Sequence, residues 1–94
     1  DAMPNVYGKN AENYFNDFID VLKENDFNTK EITNYYFFQI NRWDLVTSDQ
    51  RTIKFPEKNL QQAIITVNKL LKDKNFDKYS VIDLRISDKI ITQQ

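Results

Sequence analysis

Cysteine and histidine are missing altogether from this sequence of 94 residues, and glycine occurs once. Without Cys or His there is no thiol nucleophile, no Ser-His triad, no zinc site built from those ligands and no disulfide. The redox compartment stays undecided, because a chain free of thiols suits either. The lone glycine, Gly8, also excludes a P-loop and a dinucleotide fingerprint, which need several glycines to bring backbone against phosphate. No cofactor is expected. A charge excess of one sign is lacking too: 13 basic against 14 acidic residues leave a net charge of -1, so no overall field draws in nucleic acid or an anionic membrane. No apolar run reaches the length of a membrane span, and no basic-then-apolar leader opens the chain. Because the chain starts at Asp1 rather than Met, it is read as a fragment whose targeting and anchoring segments lie upstream. Its length allows one domain, 1–94, with a single core.

What is present is patterned. Ala11, Tyr14, Phe15, Phe18, Val21 and Leu22 recur at three- and four-residue spacings, the stripe of an amphipathic helix over Ala11 to Asp26, with Asn10 as its cap. The opposite face carries Asp17, Asp20 and Glu24. Such carboxylates can hold a hard cation, but no second cluster converges on them and a solvated helix face is the simpler account. From Ile32 the period changes to two. "ITNYYFFQI" and "RWDLVT" read as strands joined near Asn41, Ser48-Asp49-Gln50 as a turn, and "RTIKF" as a third strand ended by Pro56. Leu60, Ala63, Ile64, Val67, Leu70 and Leu71 draw a second helix to about Lys74, opened by a capping box at Asn59-Leu60-Gln61-Gln62. "LKENDFN" and "LKDKNFD" echo one another at the two helix ends, where Phe27 and Phe76 are expected to fold back onto the last turn.

The closing stretch "VIDLRISDKIITQQ" supplies two more strands, divided by Ser87-Asp88-Lys89. The whole is therefore α+β: two helices packed on one face of a mostly antiparallel five-stranded sheet, in the order α-β-β-β-α-β-β. Trp43, Leu45, Ile53, Phe55, Ile82 and Leu84 face the helices. Arg42, Asp44, Lys54, Asp83 and Arg85 face water, where cross-strand charge pairs contribute about 1 kcal/mol or less. "YYFF" makes both faces of its strand aromatic, and one of them needs cover from the N-terminal segment or a partner.

Three functions compete on these residues. Asp44 and Asp83 are the only acids on strands that could act as a hydrolytic pair, though each sits beside an arginine that suits a structural ion pair. Tyr35, Phe37 and Trp43 could form a stacking platform for glycan. The last strand, with a fair chance of lying at a sheet edge, could take an incoming strand on its free peptide groups.

"RWDLVTSDQRTIKFPEKNLQQAIITVNKLL" followed by "VIDLRISDKIIT" resembles the C-terminal periplasmic domain of the bacterial cell-division family FtsQ/DivIB, of alphaproteobacterial type. The shared features, in order, are the strand Arg42-Trp43-Asp44-Leu45, the turn Ser48-Asp49-Gln50, and the helix lead-in Phe55-Pro56-Glu57. Asp83-Leu84-Arg85 and the turn Ser87-Asp88-Lys89 into Ile90-Ile91 follow, and "VYGKNA" at Val6 to Ala11 matches the family's approach to its first helix. The resemblance implies a non-enzymatic divisome scaffold for septum assembly. It also implies an inner-membrane anchor upstream, a POTRA domain between that anchor and this periplasmic domain, and FtsB and FtsL as partners. In the family FtsB adds a strand to the final strand of this domain, which singles out Arg85, Ile86, Ser87, Asp88, Lys89, Ile90 and Ile91 here. Other members have an aromatic residue in place of Ile86 and small ones in place of Asp88 and Lys89. Arg42 lies near a basic position that contributes in some members.

Overall fold

Alternating apolar residues from Ile32 to Thr47 lay down the first long hairpin, and the rest of the sheet grows outward from it. A computed structural model describes residues 3–86 and 89–94. Its strands are β1 (Asn5–Tyr7), β2 (Ile32–Phe38), β3 (Arg42–Thr47), β4 (Thr52–Lys54), β5 (Val81–Asp83) and β6 (Ile91–Gln93). The helices are α1 (Phe15–Glu24) and α2 (Leu60–Lys72), with 3-10 turns at Ala11–Asn13, Thr29–Glu31 and Lys74–Phe76. The six strands lie side by side in chain order.

Two corrections to the expected sheet follow. It has six strands rather than five, because Asn5–Tyr7 pairs with β2 instead of merely leading into a helix. The connections β1 to β2 and β4 to β5 are parallel, while β2–β3, β3–β4 and β5–β6 are antiparallel. Each parallel pair encloses a helix, which carries the chain back across one face before the next strand begins. That is why both helices share a face.

One row of Cα partners, Val6, Tyr35, Leu45, Ile53, Ile82 and Thr92, crosses all six strands on the helix side. Its four central members are 0–1% exposed. Phe18 and Leu22 of α1 and Ala63, Ile64, Val67 and Leu70 of α2 close over them. Trp43 stacks on Phe18 at 4.9 Å with the rings 6° apart, and Phe15 meets Tyr35 edge-on at 4.9 Å. Each such side chain removed from water contributes about 1.5–3 kcal/mol, so this aromatic block holds α1 to the sheet.

The helix ends are less alike than their sequences. At the end of α1, Asp26 takes φ 62°, the Phe27 N–H donates to the Leu22 carbonyl at 3.0 Å and the Asp26 N–H to that of Lys23 at 3.2 Å. This is a Schellman closure with buried Phe27 as its hydrophobic contact. At the end of α2 no such closure forms. Asp73 is extended and its side chain accepts from the Asn75 N–H, starting a 3-10 turn that leaves Phe76 half-buried. The expected side-chain caps are also absent: Asn10 and Asn59 both sit in the left-handed region and neither side chain caps its helix. Asn tolerates that backbone region better than most residues, so these positions serve the chain's change of direction.

Candidate docking edge

The second row across the sheet, on the side away from the helices, runs Tyr7, Tyr36, Asp44, Lys54, Asp83, Ile91. Its charges are not the loose surface pairs expected. Arg42 and Asp44, two apart on one face of β3, are in direct contact with side chains only 10% and 13% exposed. Arg42 Nη1 also donates to the Phe55 carbonyl at 3.2 Å, and its guanidinium lies 4.5 Å over the Phe38 ring. The correction has a physical cause: the ring and the chain leaving β4 shut water out of a pair that alternation alone places on a wet face.

Asp83 and Arg85 repeat the arrangement on the chain leaving β5. Arg85 Nε donates to both Asp83 carboxylate oxygens at 2.9 and 3.1 Å, Nη2 to Oδ2 at 2.7 Å, and the Arg85 N–H to Oδ1 at 3.0 Å. The Arg85 side-chain hydrogen bonds hold the Asp83 carboxyl below the usual carboxylate range; burial opposes them and is outweighed. Asp83 in turn raises the pKa of Arg85. Asp44 and Asp83 are thus each held by an arginine of their own strand segment, and Lys54 lies between them in the row. The Asp83 carboxyl is thereby held away from the range of a general acid.

The proposed glycan platform fares differently. Tyr35, Phe37 and Trp43 are 1%, 7% and 4% exposed, with burial pushing the Tyr35 hydroxyl up to about 12. Their faces are taken by Phe15, Phe18 and Tyr14, so no sugar can stack there. Among the described residues no group of three or more carboxylates gathers as a metal site, and Asp17, Asp20 and Glu24 are solvent-exposed.

At the end of the sheet, β6 pairs with β5 alone among the described residues, through Val81–Gln93, Ile82–Thr92 and Asp83–Ile91. The Ser80 N–H adds a bond to the Gln93 carbonyl at 2.7 Å. Of the site residues read from the sequence, Ile91 lies in β6, and Ile86, Lys89 and Ile90 lie on the approach to it. Ser87 and Asp88 fall outside the described residues. Ile86, Ile90 and Ile91 are 51%, 46% and 40% exposed. This is an unusual concentration of bare aliphatic side chains for a short edge.

Beside this edge runs an open groove of about 770 Å³ between the start of α2 and the terminal segment. Its walls include Pro56, Gln62 and Thr66 on one side and Leu84, Ile86 and Ile90 on the other. Lys58, Arg85 and Lys89 also line it, with Glu57 the one acid among the described residues of its lining. Sequence reading missed the α2 side of this groove, and no local signal could have found it. Its polar residues read as a solvated helix face until the chain end is folded against them.

Fold and site together define a small α+β domain with a covered face, a charge-paired face and a last strand that pairs on one side only among the described residues. The chain belongs to the FtsQ/DivIB cell-division family: the model of the C-terminal domain of cell division protein FtsQ/DivIB matches residues 1–85. This gives the domain a role in cell division, in a family of non-enzymatic division scaffolds. The match stops at Arg85, so the approach to β6 and β6 itself lie beyond it. No curated protein matches the chain.

Proposed function

We propose that this domain is a divisome docking module, which captures FtsB, and with it FtsL, by adding a partner strand to β6. The observation that carries the reading is the position of β6, last in the sheet and paired only with β5 among the described residues. A strand laid there gains about 1 kcal/mol net per backbone hydrogen bond, too little alone for stable capture over three residues. Ile86, Ile90 and Ile91 and the groove beside them supply the apolar area that such a partner needs. Arg85 completes the site. Its Nε and Nη2 are engaged by Asp83, which aims the rest of the guanidinium outward on a side chain 45% exposed. Backbone pairing gives the affinity its direction, and side chains beside the edge give it selectivity.

In this reading, which the family supports, the domain faces the periplasm and is held at the inner membrane by an upstream segment; no helix among the described residues is long and apolar enough to cross a membrane. The test is a titration of the labelled domain with a periplasmic FtsB fragment, followed by amide shifts. Shifts are expected to cluster at Arg85, Ile86 and Lys89 to Gln93. Proline at Ile90 or at Ile91, shown by circular dichroism to leave the fold intact, removes the binding. Unchanged binding in both folded variants rules out strand addition at β6.

A further inference from the structure

We infer that Asp83 is a positioning residue of the docking edge: its carboxylate sets Arg85 by backbone and side chain together, so that a partner strand on β6 meets a guanidinium already oriented. The inference rests on the docking reading for its function and on the geometry of the free domain for its mechanism. Asp83 itself lies out of a partner's reach. It stands in β5 opposite Ile91 of β6, so a strand added to β6 runs two strand spacings away, about 10 Å, and the Asp83 side chain is only 11% exposed.

The Leu84 N–H still donates to the Lys54 carbonyl of β4 at 2.9 Å. One residue on, the Arg85 N–H turns to Asp83 Oδ1 instead, an Asx turn that takes the chain out of the sheet toward Ile86. The same carboxylate accepts Nε and Nη2 of Arg85, which leaves Nη1 and the second Nη2 hydrogen without a partner among the described residues. Only a carboxylate does both. An asparagine would keep one acceptor for the turn but set an amide donor against the guanidinium. The Arg42–Asp44 pair shows the contrast: its arginine is 10% exposed, spends Nη1 on the Phe55 carbonyl as well and is capped by the Phe38 ring. That pair is sealed, whereas the Arg85 side chain is 45% exposed. Arginine is long and rotamer-rich, and ordering it only on binding would weaken capture; the clamp orders it beforehand. Charge alone has the opposite sign, since neutralising Asp83 leaves the edge more positive and would strengthen capture of an acidic segment.

The test is a double-mutant cycle on the intact chain, titrated with a periplasmic FtsB fragment. Asp83→Asn should weaken capture about fivefold, the cost of ordering one long side chain, and should have no further effect in the Arg85→Gln background. A purely structural role would not show that dependence. In the free chain the Arg85 Nε–H should be rigid on the ps–ns timescale and become mobile in Asp83→Asn, while unchanged amide shifts in β1 to β4 show that the variant folds. Asp83→Ser, whose hydroxyl can hold the turn but not the fork, replaces Asp83→Asn if that variant does not fold. Variant capture equal to or tighter than wild type, a weakening that persists undiminished with Arg85→Gln, or a mobile Nε–H in the wild type would each overturn the proposal while docking stands. A wild-type chain that holds Nε–H rigid yet captures no fragment overturns the docking reading, and with it the role of Asp83 at this edge, leaving the clamp a structural pair.

Discussion

The sheet has two edges, and they are finished in different ways. At β1 the chain is locked in. Tyr7 stacks on Tyr36 at 5.1 Å, and Gly8 passes so near Phe37 that a Cβ would stand 2.3 Å from its carbonyl oxygen. β1 runs parallel to β2 and is tied at once to the 3-10 turn before α1, where the Ala11 N–H donates to the Gly8 carbonyl. At β6 no aromatic pair is seen among the described residues, and Ile91 in the strand and Ile90 just before it are largely open to water. Among the described residues each edge strand pairs with one neighbour only, so the difference lies in what holds each strand down. An edge held by aromatic stacking and close backbone contact belongs to the fold. One held by three residues of pairing is cheap to remodel, which is what a docking strand requires.

The most damaging way to test this contrast is Gly8→Ala. Gly8 has φ 120°, a conformation that a residue with a Cβ rarely adopts, and the added carbon would collide with backbone rather than with a flexible side chain. A loss of about 3 kcal/mol in denaturant unfolding is expected, with faster amide exchange through β1 and β2. If stability is unchanged, the β1 edge is no more integral than β6 and the contrast fails. Next in size is Tyr7→Ala. It removes a stacked pair and should cost about 1 kcal/mol, with the Tyr36 ring resonances moving furthest.

At the other edge Arg85→Gln should act mainly in acid. Asp83 has its folded-state pKa depressed, chiefly by the Arg85 side chain. It therefore adds stability that is complete above its unfolded pKa of about 3.9 and is lost as pH falls through the folded value. Without Arg85, burial acts unopposed by those hydrogen bonds and the folded value rises, so the loss begins at higher pH. Because Arg85 is 45% exposed, the neutral-pH effect should stay below about 1 kcal/mol. The acid-unfolding midpoint should move upward in pH; a midpoint that stays put would show that the pair contributes nothing to folding.

How much of this was legible beforehand depended on element length and on who covers whom. β3 is long enough for alternation to declare its faces, and the inward positions of Trp43 and Leu45 follow from it; β2, aromatic on both faces, left Tyr35 unassigned until α1 was packed on it. β1 escaped because its three residues are all exposed and carry no period. The Phe27 closure was readable because Asp26 and Phe27 stand next to their helix, while the matching letters at Phe76 form a different corner. The buried Arg42–Asp44 pair was not readable, since its cover comes from Phe38 and the chain beyond β4 rather than from its own strand. The edge shows in the sheet order, where β6 pairs with β5 alone among the described residues. The groove was not readable, because it exists only where Pro56 and Gln62 face Ile86 and Ile90.

The finest test of the contrast is Ile91→Ala, for which the smallest change in folding stability is expected. The side chain is 40% exposed and lies on the face that no helix covers, so truncating it leaves no sealed cavity and should cost less than about 0.5 kcal/mol. β6 keeps its backbone pairing, because alanine still donates and accepts. FtsB capture should nevertheless weaken, as the partner strand loses apolar area that the domain's own fold does not use. A stability loss well above 1 kcal/mol would instead make Ile91 part of the core. β6 would then be a structural edge like β1, and its exposure could no longer be read as space kept for a second chain.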